Sequence, residues 1–265
     1  MKKLLLAGAA LSTFSNVVGS VFAADMPPFV APIPIFTWTS CFLGAHIGGG
    51  WAQKDFTDPV ALVQNSFLGT VTTGVTTVGV SASGLLVGGQ MGCDYQFGLS
   101  PWVLGLEGAV SGMNLRGNTN FGLPLGGPSD IATMTAKTDF LPSVTARFGY
   151  ALANWLFYVR AGGAWAGDKY SVTGTFFPTA TAFGFEGLDN RFGWTAGGGV
   201  EWAFADVWSA RLEYDYYGLG HRSALMTDAI NGLSGVLSVQ QSVHTVKLGL
   251  SFHMWAGPSI GAAGL

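Results

Sequence analysis

The chain has 265 residues, of which 49% are hydrophobic and only 10% are charged, and its 12 Lys and Arg against 15 Asp and Glu give a formal charge of -3. A soluble domain usually carries about 25% charged residues, so this composition argues against a water-covered surface, and its acidity argues against nucleic-acid binding. Beyond the N-terminus no run of about 18 apolar residues predicts a spanning helix, which leaves a transmembrane β-barrel as the class that fits.

The N-terminus has the features of an export signal. In residues 1–23, two lysines precede an apolar stretch, and VFA at 21–23 offers a small-residue cleavage site. The apolar stretch is short and contains polar residues, which disfavours the alternative of a membrane anchor. Residues 24–39 are Pro-rich and predict an extended periplasmic lead-in. We expect the barrel over 40–255 and a short C-terminal tail over 256–265.

Eight segments of strand length follow the lead-in. In each, apolar or aromatic side chains occupy alternate positions, and glycine, small or polar side chains occupy the others. The segments are 41–51, 85–97, 102–111, 140–150, 157–165, 191–204, 208–217 and 245–254. They predict an all-β fold of eight antiparallel strands.

The charges of these segments are strictly sorted. No Asp, Glu, Lys or Arg lies on the apolar face of any segment. The charged residues on the opposite face are Asp94, Glu107, Arg147, Arg160, Arg191, Glu201, Arg211, Glu213, Asp215 and Lys247. An Arg or Lys that faces the bilayer midplane costs about 2–4 kcal/mol, so the apolar face is expected to face lipid and the charged face the lumen. A soluble barrel would scatter charges over its outer face.

The connections between segments alternate in length. Short links follow at FGLSP, ALAN and AFAD, whereas long segments separate the other pairs, at 52–84, 114–137, 167–190 and 218–242. This alternation predicts short periplasmic turns and four long outer loops. Aromatic residues near the segment ends fit the two interfacial girdles of a membrane barrel.

Several motifs carry a more specific resemblance. The most specific are GWTAGGGVEWAF at 193–204 and WSARLEYDYYGLG at 208–220, supported by FTWTSCFLGAHIGGGWA at 36–52 and HTVKLGLSFHM at 244–254. With these motifs the chain resembles the small eight-stranded outer-membrane proteins of alphaproteobacteria, a family related to the OmpA membrane domain that includes surface antigens and hemin-binding proteins. The resemblance covers nearly the whole mature chain and implies a structural or interaction protein in the outer membrane of a Gram-negative bacterium.

The C-terminal end departs from this family. Its members usually end on an aromatic residue that the barrel-insertion machinery reads, whereas this chain continues past Met254 with WAGPSIGAAGL. The departure concerns the insertion signal and not the barrel.

The lumenal charges predict an interior ion-pair network. An eight-stranded barrel is just wide enough for its side chains to fill, and buried charges persist when they are paired and hydrogen-bonded. Glu107 and Arg147, on neighbouring segments, are the pair expected first. The predicted members are Glu107, Arg147, Arg160, Arg191, Glu201, Arg211, Glu213, Asp215 and Lys247. A narrow ion path through the lumen is the alternative.

Four histidines raise the question of heme or metal binding. His46 and His253 are expected in the lumen, His244 at the start of a strand and His221 in a loop, where it is the residue best placed to contact hemin. No two of them have ligand spacing on one strand. We therefore expect no cofactor and no metal.

A lipid-A-modifying enzyme is a further alternative. In Gly220-His221-Arg222-Ser223 a histidine lies two residues from a serine, the spacing of a base and a nucleophile on one strand face. Asp228 is the nearest carboxylate downstream that could orient the histidine. The motif lies past the predicted strand, which disfavours the enzyme.

Cys41 and Cys93 are the only cysteines of the chain. Both are expected to point outward near the periplasmic ends of adjacent strands. A disulfide between them is allowed in an exported protein, and two unpaired thiols facing lipid are equally allowed.

Together these features favour a monomeric, non-enzymatic barrel that serves envelope integrity and surface contact. Its expected partners are outer-membrane lipid and lipopolysaccharide, the insertion machinery during biogenesis, and host or cell-surface ligands at the outer loops. Uptake of hemin or another small solute through a narrow barrel is the alternative.

Overall fold

The computed structural model describes residues 36–69, 76–123, 131–176 and 180–254. The predicted signal peptide (1–23), the lead-in as far as residue 35 and the predicted C-terminal tail (256–265) lie outside these ranges.

Eight β-strands and one short α-helix make up the described fold. In chain order they are β1 (Ser40–Thr57), α1 (Pro59–Leu68), β2 (Thr77–Gln96), β3 (Trp102–Gly122), β4 (Ile131–Leu152), β5 (Trp155–Phe176), β6 (Thr181–Ala205), β7 (Trp208–Asp228) and β8 (Leu233–His253). Each strand pairs antiparallel with the next, and β8 pairs with β1, so the sheet closes into a barrel. The predicted eight-stranded antiparallel barrel is confirmed.

The half of the barrel nearest the short turns has its apolar face outside. In β1, Leu43 and Ile47 are 51% and 60% exposed on the outer wall, whereas His46 between them is buried in the lumen. This arrangement is the one that the alternation predicts for a wall in contact with lipid.

Exposed aromatic side chains border this apolar wall at both levels. Near the short turns they include Trp102, Tyr150, Trp155, Trp202 and Trp208; toward the other end they include Trp51, Phe140, Trp165, Phe192 and Trp194. Two such bands mark the two interfaces of a membrane.

Beyond the second aromatic band the pattern reverses. Tyr170 and Val172 of β5 are buried inside the barrel, whereas Lys169 between the band and these residues lies on the outer face. The cause is the change of solvent, because above the lipid the outer wall faces water and the interior becomes the place to bury apolar surface.

This reversal explains why the four long segments, predicted from the sequence as outer loops, are largely strand. The four long segments do connect strands at one end of the barrel, but most of their residues continue the strands instead of forming loops. In β5 and β6, for example, pairing extends from Trp155 with Trp202 to Phe176 with Thr181. The segments lack an apolar outer face, and for that reason the sequence pattern did not identify them as strand.

The interior consists of stacked layers. At the turn end Phe36 and Trp38 pack with Val103, Leu156 and Ala203. Charged side chains lie above them, then an apolar layer, then a second charged group. The apolar layer contains Ala52, Ala82, Leu86, Met113, Leu115, Leu141, Ala164, Ala166, Tyr217, Leu219 and Val243.

Helix α1 covers the outer end of the lumen. It follows Asp58, has Pro59 in its first turn and ends at Gly69, whose φ is 78°. Proline is common at the first position of a helix and glycine just after its last. Its residues Val60, Leu62 and Val63 join an apolar cluster inside the outer part of the barrel. Among the described residues no helix is long and apolar enough to cross a membrane.

Candidate functional site

The principal polar feature of the described lumen is a group of buried charges near the turn end, which we call the lower charge network. Its members come from β2 through β8. They are Asp94, Glu107, Arg147, Arg160, Glu201, Arg211, Glu213, Asp215 and Lys247. All are buried, and each takes part in at least one ion pair.

Two arginines and two glutamates form the centre of this network. Arg147 contacts Glu107 at 3.2 Å and Glu201 at 2.8 Å. Arg211 contacts the same carboxylates, at 2.7 Å and 3.2 Å respectively. The pair Glu107 and Arg147, expected first from the sequence, is thus one contact in a set in which each carboxylate serves both cations.

Arg160 links the centre to the rest of the network. It donates to both carboxylate oxygens of Asp215, at 2.7 Å and 2.5 Å, and to Glu107 at 2.5 Å. Lys247 contacts Asp215 from the other side at 2.7 Å. Such bidentate contacts are the strong form of an ion pair, because two parallel hydrogen bonds add to the charge attraction.

The small residues of the motif GWTAGGGVEWAF give room for these side chains. Tyr158 of β5 lies across β6, and its hydroxyl would be only 2.8 Å from a Cβ atom at Gly199. That hydroxyl donates to Glu213 at 2.5 Å. A larger residue at Gly199 would therefore displace the Tyr158 hydroxyl from its hydrogen bond with Glu213.

Arg191 was predicted to belong to the same network as the other lumenal charges, but it lies outside the lower charge network. It is lumenal, as expected, but it is higher in the barrel and contacts Asp189 at 2.5 Å and Asp168 at 3.5 Å. With Lys54, whose Nζ is 2.6 Å from Asp168, these residues form an upper charge cluster. Alternation assigned Arg191 and Glu201 to the same lumenal face, but their separation along β6 places them at different heights, which the prediction of one network did not take into account.

The upper charge cluster includes two residues that the sequence reading missed. Lys54 and Asp168 are fully buried, and both fall in segments that the pattern assigned to outer loops. Thr138 donates to the same oxygen of Asp168 that Lys54 contacts, and Gln241 donates to it at 3.3 Å. The signal that could have found them is an alternation in which the apolar residues are on the lumenal face, with Lys54 and Asp168 as the charged residues of that face.

Cys41 and Cys93 are directly opposite each other in β1 and β2, with Cα atoms 3.9 Å apart. Their sulfur atoms form a disulfide bond. The bond lies on the outer wall near the turn end and joins two strands that the sheet already pairs.

The histidines have separate environments. His46 is hydrogen-bonded to Gln90 and Ser111, and His253 to Ser40 and Ser209, all inside the lumen. His244 stacks on Trp51 in the second aromatic band. Within the described ranges, no group of three or more His, Cys, Asp or Glu side chains is placed to hold a metal ion.

The sequence Gly220-His221-Arg222-Ser223 lies within β7 and not past it. A register shift against β8 at this point leaves His221, Arg222 and Ser223 all exposed to solvent. Asp228 does not orient the histidine, because its carboxylate accepts hydrogen bonds from the backbone of Ile230 and from Asn231 in the following turn. The geometry of a catalytic triad is therefore not formed by these residues.

The comparison with known families agrees with this architecture. Residues 37–252 match the outer membrane protein beta-barrel domain. The chain belongs to this family. Its position in the outer membrane follows from the family and from the names of its relatives.

The relatives of this chain include two named proteins of Brucella. The chain is 28% identical over 255 residues to the 31 kDa outer-membrane immunogenic protein of Brucella melitensis, covering 95% of this chain and 99% of the relative. It is 27% identical to the 25 kDa outer-membrane immunogenic protein of Brucella abortus, covering 84% of this chain and 87% of the relative. Among solved structures, OprG of Pseudomonas aeruginosa aligns with a TM-score of 0.48 at 14% identity, over 82% of this chain and 98% of OprG.

Proposed function

We infer that this barrel is a structural outer-membrane protein that contributes to envelope integrity and makes surface contacts through its outer end. It acts as a monomer, without enzymatic activity and without an open channel.

The observation that carries this proposal is the filled lumen. From the turn end outward, Trp38, the lower charge network, the apolar layer, the upper charge cluster and the apolar cluster beneath α1 follow one another in the described structure. A conducting path needs water or polar groups along its whole length, and three of these layers are apolar. The ion pairs therefore have a structural role in the proposal and do not line a route for ions.

The outer end supports the surface-contact part of the proposal. The strands continue well past the second aromatic band, so the barrel presents an outer wall above the lipid on which charged residues such as Lys169 and Glu186 lie beside exposed leucines. The Brucella relatives are named as immunogenic outer-membrane proteins, which is compatible with such an exposed region. Lipopolysaccharide and ligands on host or other cells are the partners that this wall would meet.

Ion conductance in planar bilayers tests the closed lumen. The refolded full chain is expected to give no discrete current steps. The double variant Arg147→Ala/Arg160→Ala removes two cations of the lower charge network but leaves the apolar layers in place, so it is expected to remain closed as well. Discrete conductance from the unmodified chain would contradict the proposal.

A hemin titration tests the alternative of ligand uptake. His221 is exposed, and among the described residues no group of three or more His, Cys, Asp or Glu side chains is placed to hold a metal ion. We expect no Soret shift beyond that of the unfolded chain. A saturable shift that is lost in His221→Ala would instead favour hemin binding.

A further inference from the structure

Three cations lie directly opposite one another on adjacent strands of the outer wall. Arg116 of β3 is paired in register with Lys137 of β4, and Lys137 with Lys169 of β5. All three side chains are on the outer face, Lys137 30% and Lys169 62% exposed. We call these residues the basic row.

The basic row is under-compensated by the protein itself. Asp139 contacts Lys137 at 2.5 Å and Lys169 at 3.6 Å, and in the described part of the chain no ion pair is found for Arg116. Like charges directly opposite on neighbouring strands destabilise a sheet. Asp139 is the one carboxylate in ion-pair contact with the basic row in the described structure, which leaves positive charge that an external anion would complete.

The height of the basic row identifies the anion. Phe140 of β4 and Trp165 of β5 belong to the second aromatic band, and Lys137 and Lys169 lie just beyond them toward the outer end of their strands. Aromatic bands mark the boundary between acyl chains and head groups. The basic row is therefore at the level of the lipid head groups of the outer leaflet.

A groove next to the basic row can hold a saccharide. It has a volume of about 700 Å³ and is lined by both lysines, by the hydroxyl side chains of Thr135, Ser171 and Thr227, by Glu186, and by the apolar side chains of Leu188 and Leu225. It lies beside a stretch in which β6 and β7 are unpaired, between Glu186 with Thr227 and Trp194 with Gly218. Hydroxyls and a carboxylate can exchange hydrogen bonds with sugar hydroxyls, while the cations bind phosphate.

We propose that the basic row and this groove form a binding site for the phosphorylated saccharide head group of lipopolysaccharide. Arg116, Lys137 and Lys169 contact phosphate, the groove accepts the sugar, and the acyl chains lie against the apolar wall below Phe140 and Trp165. The site deepens the proposed surface-contact function and rests on it, since it names the lipid that the outer wall would bind.

The test measures binding of purified lipopolysaccharide to the full chain folded in detergent, by native mass spectrometry. A basic residue near an anionic lipid surface contributes about 1 kcal/mol, which corresponds to roughly fivefold in affinity. Arg116→Gln, Lys137→Gln and Lys169→Gln are each expected to weaken binding by about this factor, and the triple variant by on the order of a hundredfold. Because the three side chains are on the outer surface, heat-modifiable gel migration should remain that of the unmodified barrel.

Arg222→Gln is the matched control. Arg222 is also an exposed cation, but it is on β7, where it is paired in register with Val239 and with no member of the basic row. Its replacement removes the same charge and is expected to leave the affinity unchanged. If Arg222→Gln weakened binding as much as Lys169→Gln, general charge attraction would replace the proposed site.

Two further ligands identify what is recognised. Dephosphorylated lipopolysaccharide is expected to bind far more weakly, and inorganic phosphate is expected not to compete at comparable concentration. Equal binding of the dephosphorylated lipid, efficient competition by phosphate, or an unaltered affinity of the triple variant would each overturn the proposal. The closed lumen is tested separately by conductance, so failure of this site and failure of the proposed function give different results.

Discussion

Arg147 and Glu201 meet across the lumen. Their strands, β4 and β6, are separated by β5, yet Nη2 of Arg147 donates to Oε2 of Glu201 at 2.8 Å. The contact links strands that share no backbone hydrogen bonds. The lower charge network therefore braces the barrel from within, in addition to the ladders that close it.

Glu201→Gln is expected to destabilise the barrel strongly. Glu201 is fully buried and contacts Arg147, Arg211 and Ser209. A neutral amide would leave two buried arginines short of a counter-charge, and breaking a buried pair from one side costs about 3–5 kcal/mol. The measurement is the free energy of unfolding in detergent or lipid vesicles by denaturant titration.

Glu186→Gln is the control for this prediction. It makes the same chemical change on the exposed outer face of β6, where a substitution is expected to alter stability by less than about 0.5 kcal/mol. Equal stability of the two variants would remove the structural role assigned to the network.

In the upper charge cluster, removal of the anion Asp168 should lower the free energy of unfolding more than removal of the cation Lys54. Asp168→Asn leaves Lys54 as a fully buried cation with Thr138 as its remaining hydrogen-bond partner, at a cost of about 3 kcal/mol. Lys54→Met leaves Asp168 with Arg191, Thr138 and Gln241, so we expect a clearly smaller loss. Unfolding free energies of both variants measure the difference, and a larger loss for Lys54→Met would contradict it.

The sequence was sufficient to predict which face of each strand is inside. Charge sorting between Leu212 and its neighbours Arg211 and Glu213, for example, follows directly from a lipid-facing wall, and the structure has Leu212 outward and both charges buried. Ion-pair partners required more information. Strand tilt and register determine height in a barrel, and for this reason Arg191 and Glu201 belong to different groups although they share a face.

The outer part of the fold was less accessible to sequence reasoning. Its strands have the apolar side inward, as Phe183 and Phe185 of β6 do, and a search for one apolar outer face interprets such segments as loops. Helix α1 had only two local signals, Pro59 after Asp58 and the terminating Gly69. The candidate basic row was hidden for the same reason, because its residues come together only through the register of three extended strands.

The disulfide should stabilise the barrel without being required to form it. Cys41 and Cys93 are 52 residues apart, and in the chain-entropy model a loop of that length corresponds to about 4 kcal/mol, which is an upper value for strands that already pair. Cys41→Ser/Cys93→Ser is expected to keep heat-modifiable migration but to unfold at lower denaturant concentration. Alkylation of two thiols in the unreduced, unmodified protein would contradict the bond.

Helix α1 should protect the outer opening of the lumen. Val63 is fully buried in the apolar cluster, whereas Leu68 of the same helix is exposed. Val63→Asp would place an unpaired charge in that cluster and release the helix, whereas Leu68→Asp should be tolerated. Limited proteolysis of the folded barrel is expected to cleave near α1 in Val63→Asp alone. Equal resistance of both variants would show that the helix does not depend on this packing.

The orientation of the barrel can be tested with single cysteines, because both native cysteines are bonded to each other. Ile230 lies in the connection between β7 and β8 and is 69% exposed, and Leu99 lies in the short connection between β2 and β3 and is 87% exposed. An impermeant maleimide added to intact cells is expected to label Ile230→Cys and not Leu99→Cys, and both after permeabilisation. Since both sites are well exposed, accessibility in the folded protein cannot account for a difference, and the membrane alone would separate them. Labelling of Leu99→Cys on intact cells would invert the barrel and move the basic row from the outer leaflet to the periplasmic side.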